Sequence, residues 1–180
     1  MIDTIFIEQE ILDHERTKAV LSKFPKSNRV IISRYQEVFN KRTQNFRLQK
    51  KQPALILANK HKNFVLPAPA GFGIGAEKNF YFSHMYNCLY DCRYCFLQGM
   101  YSSANYVLFI NYEDFYSDIK RTIRNNIDER MTFFSGYDCD SLAFEKISGF
   151  VKNTLPIFLG LEDVDLELRT KSVQLEPLLS

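Results

Sequence analysis

The chain has 180 residues, of which 46% are hydrophobic and 14% aromatic, a composition typical of a folded protein and not of a disordered one. Residues 16–62 carry thirteen Lys or Arg and one acidic residue, whereas residues 63–180 carry ten Lys or Arg and fifteen acidic residues. The net charge of +2 is therefore unevenly distributed, with a basic N-terminal part. No apolar stretch approaches the roughly 20 residues of a membrane span, and residues 1–10 lack the basic start of a secretory signal. We therefore expect a cytoplasmic protein with no membrane partner, whose basic part is either a nucleic-acid contact or a solvated face.

The first 66 residues are predicted to form a small basic α/β unit. Its strand-like runs and helical patterns are, in chain order, strand 4–8, helix 14–24, strand 28–33, helix 35–41, strand 54–58 and strand 63–66. The segment 67–75 (PAPAGFGIG) is rich in Pro and Gly and is the predicted domain boundary. It lacks the Lys-Ser/Thr of a P-loop and the spacing of a dinucleotide fingerprint, so we interpret it as a turn. The predicted domains are 1–66 and 67–180.

Beyond the boundary, strands alternate with helices. The pattern predicts strand 79–84, helix 112–126, strand 131–135, helix 141–153 and strand 165–170. Alternation of this kind is typical of an α/β fold with a parallel sheet and right-handed crossovers.

Three of the four cysteines fall within eight residues. Cys88, Cys92 and Cys95 have the spacing C-x3-C-x2-C, which suits three corners of a [4Fe–4S] cluster and leaves one iron open. Their loop follows the predicted strand 79–84, where α/β barrels place active sites. Zinc is an alternative, with Cys139 and His84 as further ligands, although zinc sites usually pair C-x2-C with a second pair.

The cysteine spacing, with Tyr94 as an aromatic residue before the third cysteine, resembles the signature of the radical S-adenosylmethionine (AdoMet) superfamily. Four segments are similar, in order, to the spore photoproduct lyase family: 88–98 (CLYDCRYCFLQ), 106–111 (YVLFIN), 136–143 (GYDCDSLA) and 167–172 (ELRTKS). The resemblance implies an incomplete parallel (β/α) partial barrel preceded by a small α/β N-terminal unit. The predicted strands are fewer than the family's barrel has, so we expect the N-terminal half of such a protein, either truncated or split.

The resemblance also implies a function. In that family a [4Fe–4S] cluster and AdoMet generate a 5′-deoxyadenosyl radical, and the substrate is 5-thyminyl-5,6-dihydrothymine in DNA, which must leave the base stack. The implied activity is a DNA-repair lyase, and the implied partners are damaged DNA and a low-potential electron donor. The sequence leaves the oligomeric state open.

Individual site residues follow from the resemblance. It implies that Cys88, Cys92 and Cys95 hold the cluster and that Tyr94 lies beside the adenine of AdoMet. Core packing is the alternative for Tyr94. Further AdoMet contacts are implied for a thiol and two cations: Cys139, Arg169 and Lys171. From the residues alone, Cys139 is a buried thiol, and the two cations share one face of a strand.

Two positions depart from the family pattern. Phe96 stands where the family has a tyrosine that relays a hydrogen atom, and Tyr137 stands where it has a thiol donor. Tyr137 and Cys139 are therefore the candidate catalytic residues. These departures keep two other hypotheses open: a radical AdoMet enzyme with another substrate, and a non-catalytic fragment that binds a metal or nucleic acid.

Overall fold

The structure is a computed structural model that describes residues 2–179, apart from the side chain of Pro177. Its strands are β1 (Thr4–Glu8), β2 (Asn28–Ile32), β3 (Leu55–Ala58), β4 (Leu66–Pro67), β5 (Lys78–Phe82), β6 (Met85–Tyr86), β7 (Tyr106–Phe109), β8 (Met131–Ser135) and β9 (Val164–Leu168). Its α-helices are α1 (Glu15–Ser22), α2 (Phe46–Lys51), α3 (Leu97–Met100), α4 (Tyr112–Asn125), α5 (Glu145–Ser148) and α6 (Phe150–Thr154). Among the described residues, no helix has both the length and the apolar character needed to cross a bilayer.

The chain forms two compact units, each with its own sheet. The N-terminal unit consists of Met1–Lys60 and Met85–Ile110, and the C-terminal unit of His61–His84 and Asn111–Ser180. This division differs from the boundary predicted at 67–75. The difference arises because β7 pairs with β3, which draws the residues around the cysteines into the N-terminal unit.

The sheet of the N-terminal unit has the strand order β2-β1-β3-β7-β6. All neighbouring pairs are parallel except β6 with β7. Every residue of β3 is buried, as expected for a parallel strand covered on both faces. The helix α1 begins where His14 Nδ1 accepts a hydrogen bond from the N–H of Arg16 at 3.1 Å, and it buries Val20 and Leu21.

The sheet of the C-terminal unit has the order β4-β5-β8-β9, in which β5, β8 and β9 are parallel. The helix α4 buries Phe115 and Ile119, one turn apart on its apolar stripe. The predicted helix 141–153 is instead two short helices, because Gly149 has a left-handed backbone with φ of 60° and separates α5 from α6.

The predicted fold class is confirmed. Parallel pairings dominate both sheets, and neither sheet closes into a barrel within the described chain. The strand predictions at 4–8 and 131–135 coincide with β1 and β8. The helix α2 was not predicted.

Candidate functional site

The three predicted cluster ligands lie on one loop of the N-terminal unit, between β6 and α3. We call residues 87–96 the cysteine loop. Its setting corrects the sequence analysis, since the loop follows β6 and not β5 directly. Because β6 is antiparallel to β7, the cysteine loop does not continue from the carboxyl end of a parallel strand.

Buried amides fix the start of the cysteine loop. Asn87 is 7% exposed and has a left-handed backbone with φ of 64°. Its side-chain amide donates to the carbonyls of Ser103 and Asn105, each at 2.7 Å. Further along, the N–H of Cys95 donates to the carbonyl of Cys92 at 3.0 Å. The loop is therefore tied to the chain that leads into β7 and makes a turn between its second and third cysteines.

The surroundings of the three thiols suit metal ligands. Cys88, Cys92 and Cys95 are half-buried thiols outside any disulfide. The N–H of Tyr90 donates to Cys88 Sγ at 3.4 Å. Hydrogen bonds to ligating sulfurs are among the factors that set the reduction potential of an iron–sulfur cluster.

The sulfur positions bear on the zinc alternative. Within residues 2–179, these thiols do not belong to any group of three potential ligands whose atoms all lie within 4.8 Å of one another. Tetrahedral zinc, with Zn–S distances of about 2.3 Å, needs neighbouring sulfurs only about 3.8 Å apart. A [4Fe–4S] cluster binds each thiolate on a different iron, which allows wider spacing. In this structure the three thiols therefore do not form the close set that a tetrahedral zinc ion needs. His84, the imidazole of the zinc alternative, stacks on Phe150 with 4.1 Å between ring centroids.

A cleft of about 190 Å³ lies beside Cys88 within the N-terminal unit. Tyr90, Tyr106 and Lys50 are among the residues that line it. Burial raises the pKa of the Tyr106 phenol, and the nearby Cys88 and Asp91 raise it further. Tyr106 is a neutral phenol near neutral pH, as an ordinary tyrosine is, and the raised pKa extends that state to more alkaline pH.

Two aromatic side chains of the cysteine loop face solvent. Tyr94 is fully exposed, at 102% of its reference area, and Phe96 is 62% exposed. This exposure excludes core packing as the explanation for Tyr94. Its ring is accessible to a ligand, which is what the family resemblance implies for an adenine contact.

The other predicted site residues lie in the C-terminal unit, at the carboxyl ends of two strands. Tyr137 and Cys139 follow β8, and Arg169 and Lys171 follow β9. Parallel strands in an open α/β sheet bind ligands at this end. The last two residues were expected on one face of a strand, but β9 ends at Leu168, so both lie beyond it. Shared packing on a strand face therefore does not explain them.

A turn after β8 requires glycine. Gly136 has a left-handed backbone with φ of 73°, and a Cβ there would lie 2.8 Å from Ser141 Oγ. The Ser141 hydroxyl donates to the carbonyl of Ser135 at 2.8 Å and accepts from the N–H of Arg169 at 3.1 Å. Ser141 thus joins the loop after β8, residues 136–141, to the segment after β9.

Asp140 makes the same connection with its carboxylate. It is 9% exposed. It accepts hydrogen bonds from the N–H of Leu142 at 3.0 Å, the N–H of Ala143 at 2.8 Å, the Thr170 hydroxyl at 2.7 Å and the N–H of Lys171 at 2.6 Å. Asp140 was not among the site residues predicted from the sequence. An aspartate that closes a turn on N–H groups two and three residues later is a known local signal, but the contacts to 170 and 171 come only from the fold.

The two candidate catalytic residues differ in exposure. Cys139 is 5% exposed, in keeping with a buried thiol. Tyr137 is half-buried, and its ring centroid lies 4.3 Å from that of Tyr81. Burial raises the pKa of Tyr81, and Asp138 and Tyr137 add to that effect. Tyr137 is therefore the more accessible of the two.

The two candidate cations also differ. The guanidinium of Arg169 pairs with Glu167 and lies 5.2 Å above the centre of the Phe134 ring. The side chain of Lys171 is exposed, while its backbone N–H is held by Asp140. Lys171 thus has a fixed backbone and an ammonium in solvent, a combination that suits an anion contact.

Solved structures with a similar fold were found, although no protein-family model and no curated relative matches the sequence. A doubly substituted spore photoproduct lyase with bound AdoMet and dinucleoside spore photoproduct matches with a TM-score of 0.81 and 16% identity, over 100% of this chain and 53% of that chain. A tyrosine-to-phenylalanine variant of the same enzyme matches with a TM-score of 0.78 and 17% identity, over 99% and 52%. Spore photoproduct lyase complexed with dinucleoside spore photoproduct matches with a TM-score of 0.72 and 15% identity, over 92% of this chain and 48% of that chain.

The chain therefore has the fold of spore photoproduct lyase, and the predicted likeness to an N-terminal half is confirmed. It spans about half the length of the solved chains that it matches.

Proposed function

We propose that this chain binds a [4Fe–4S] cluster and AdoMet and acts, as a radical AdoMet lyase, on the thymine photoproduct in DNA. The observation that carries the proposal is the grouping of three half-buried thiols on one loop of a chain with the spore photoproduct lyase fold. When bound, the cluster and AdoMet supply a carbon-centred radical that abstracts a substrate hydrogen.

The residues of the N-terminal unit would hold these groups. Cys88, Cys92 and Cys95, as thiolates, would bind three irons and leave the fourth open for AdoMet. The exposed ring of Tyr94 would stack on the adenine. The Tyr106 phenol would donate a hydrogen bond at the cleft beside Cys88.

The family resemblance implies roles for four further residues. Lys171 would pair with the AdoMet carboxylate, with Arg169 and Cys139 as further contacts. Tyr137 would be the hydrogen donor in preference to Cys139, because its side chain is more exposed. A phenol O–H can give a hydrogen atom, whereas the ring of Phe96 cannot.

The partners follow from charge and redox chemistry. Damaged DNA would contact exposed cations of the basic part, and a low-potential protein or flavin would supply the electron. Reduced thiols and an oxygen-sensitive cluster fit the cytoplasm. Binding of the N-terminal unit to DNA should weaken steeply with salt, and a flat salt response would remove this contact.

The test is anaerobic reconstitution of the full chain with iron, sulfide and AdoMet under a strong reductant. Release of 5′-deoxyadenosine is expected, together with conversion of the photoproduct dinucleotide to two thymines. Cys92→Ala is the control and should release none. Failure of a fully loaded chain to cleave AdoMet would contradict the proposed enzymatic activity.

A second candidate function is the same radical chemistry on another substrate. Phe96 and Tyr137, at positions where the lyases have a tyrosine and a thiol, favour it. AdoMet cleavage without photoproduct repair would support this second function. If a loaded chain shows neither AdoMet cleavage nor photoproduct repair, that result would favour a non-catalytic fragment that binds a metal or nucleic acid.

A further inference from the structure

A lysine outside the cysteine motif connects the cysteine loop to the α3 helix that follows it. The ammonium of Lys50, in α2, donates to Asp91 Oδ1 and to Gln98 Oε1. Asp91 directly precedes Cys92, and Gln98 lies three residues after Cys95. One cation thus contacts the chain on either side of the second and third predicted ligands.

The contact is extended within the loop itself. The Gln98 amide also donates to the carbonyl of Tyr90 at 3.4 Å, and its backbone N–H donates to the carbonyl of Cys95 at 3.1 Å. Gln98, which accepts from Lys50, therefore contacts both ends of the segment from 90 to 98, which contains two of the three thiols.

The helix that carries Lys50 is well placed to act as a support. Asn45 caps its start by accepting from the N–H of Leu48 at 3.1 Å. Gln49, which directly precedes Lys50, accepts hydrogen bonds from the N–H of Ala104 at 3.0 Å and from the hydroxyl of Ser103 at 3.3 Å. Consecutive residues of α2 thus hold both the cysteine loop and the chain to which Asn87 is tied.

Charge gives Lys50 a second effect. Three thiolates and Asp91 would place several negative charges on one loop when a cluster is bound. The Lys50 side chain is 36% exposed and that of Asp91 is 72% exposed, so solvent and salt screen the ion pair while part of the Lys50 charge stays shielded by protein. A nearby cation favours the more negative, reduced state of an iron–sulfur cluster, and local charge is one of the factors that set cluster potential.

We propose that Lys50 is a positioning residue for the cysteine loop, whose ammonium joins this loop to α3 and favours the reduced state of the bound cluster. The inference rests on the proposed cluster binding. Lys50 touches neither the cluster nor the substrate in this role; it acts through Asp91 and Gln98.

The experiment compares reconstituted full-length variants by two readouts other than enzyme activity. These are the rate of iron release to a ferrous chelator and the midpoint potential from a titration followed by electron paramagnetic resonance. Lys50→Met keeps the length of the side chain and removes the charge. It should release iron about tenfold faster, because loss of a group that supports metal ligands typically lowers metal affinity by roughly 10- to 100-fold, and it should shift the potential to more negative values.

Two matched variants separate the role from a general effect of charge. Lys50→Arg keeps the cation and should restore both readouts. Lys51→Met removes the neighbouring charge from the same helix, on an exposed side chain, and should leave both readouts at wild-type values. If Lys50→Met does not fold, Gln98→Met should still release iron faster than wild type, because it removes the second acceptor.

The outcomes are distinguishable. Wild-type retention and potential in Lys50→Met, or wild-type retention in Gln98→Met, would overturn the role of Lys50 and leave the proposed function intact. A wild-type chain that takes up no cluster would overturn the proposed function and this inference together.

Discussion

The cysteine loop and the loop after β8 both carry predicted site residues, but the fold fixes them in different ways. In the cysteine loop and the α3 helix that follows it, the fixed groups are Asn87, Asp91 and Gln98, while the thiols between them are half-buried. In the loop after β8, Asp140 and Ser141 bind the segment after β9, and Cys139, which directly precedes them, is buried. The contrast teaches that half-buried thiols next to hydrogen-bonded residues are better ligand candidates than a buried thiol within a hydrogen-bonded loop.

The largest expected effect tests that contrast directly. Cys92→Ala should abolish cluster binding, because one of three protein ligands is lost, whereas Cys139→Ala should bind a full complement of iron. Iron and sulfide analysis after anaerobic reconstitution measures both. A Cys139→Ala chain that fails to take up iron while remaining folded would break the distinction between the two loops.

The next effect concerns the support of the loop after β8. Asp140→Ala leaves four hydrogen-bond donors without their acceptor and should lower the free energy of unfolding by roughly 3 kcal/mol. Asp165→Ala, at an exposed ion pair with Arg130, is the control and should cost less than about 1 kcal/mol. Urea denaturation measures both, and equal costs would contradict a structural role for Asp140.

A smaller effect is expected at the turn itself. Gly136→Ala should cost about 2 kcal/mol, because a non-glycine residue at φ of 73° is strained and its Cβ would approach Ser141 Oγ. Gly99→Ala, in α3 with open space around the added methyl group, should be neutral or slightly stabilising. Thermal unfolding measures the stability of both variants. Equal stability of the two would contradict a conformational constraint at Gly136.

The smallest effect is a pH dependence in the C-terminal unit. Burial raises the pKa of Glu145, although the N–H groups of Val151 and Lys152, at 3.0 and 2.9 Å, oppose the shift. The folded state therefore holds this proton more tightly than the unfolded state, so the contribution of Glu145 to stability falls as the pH rises from 4.5 through its raised pKa.

Glu145→Gln, which keeps the acceptor oxygen, should remove this part of the pH dependence. The stability of the variant relative to wild type should therefore increase between acidic and neutral pH. Urea denaturation at several pH values measures the difference, and a constant difference would show that Glu145 does not titrate in that range.

Much of the fold was predictable because its strands are short, strongly apolar runs. The residues of β8, Met131–Ser135, were predicted without error because all five are buried and bounded by polar residues. The helix α2 was missed because it is basic and has no buried side chain, so contacts of Gln49 and Lys50 with distant residues hold it in place. The pairing of β3 with β7, which decides the division into units, spans about fifty residues and leaves no local signal.

Some residues of the candidate site were likewise predictable from the sequence, and others were not. The three clustered cysteines were predictable, because thiols at such spacing are a chemical signal independent of the fold. Asp140 and Lys50 were not predictable, because each acquires its role from partners that folding brings together: Lys171 in the first case and Asp91 in the second.

The most direct test of the central claim is a spectroscopic measurement on the anaerobically loaded full chain. We predict about four iron and four sulfide per chain, and a reduced signal in electron paramagnetic resonance that changes when AdoMet is added. Zinc in place of iron, or a signal that AdoMet leaves unaltered, would contradict the claim that these thiols hold a cluster with one open iron.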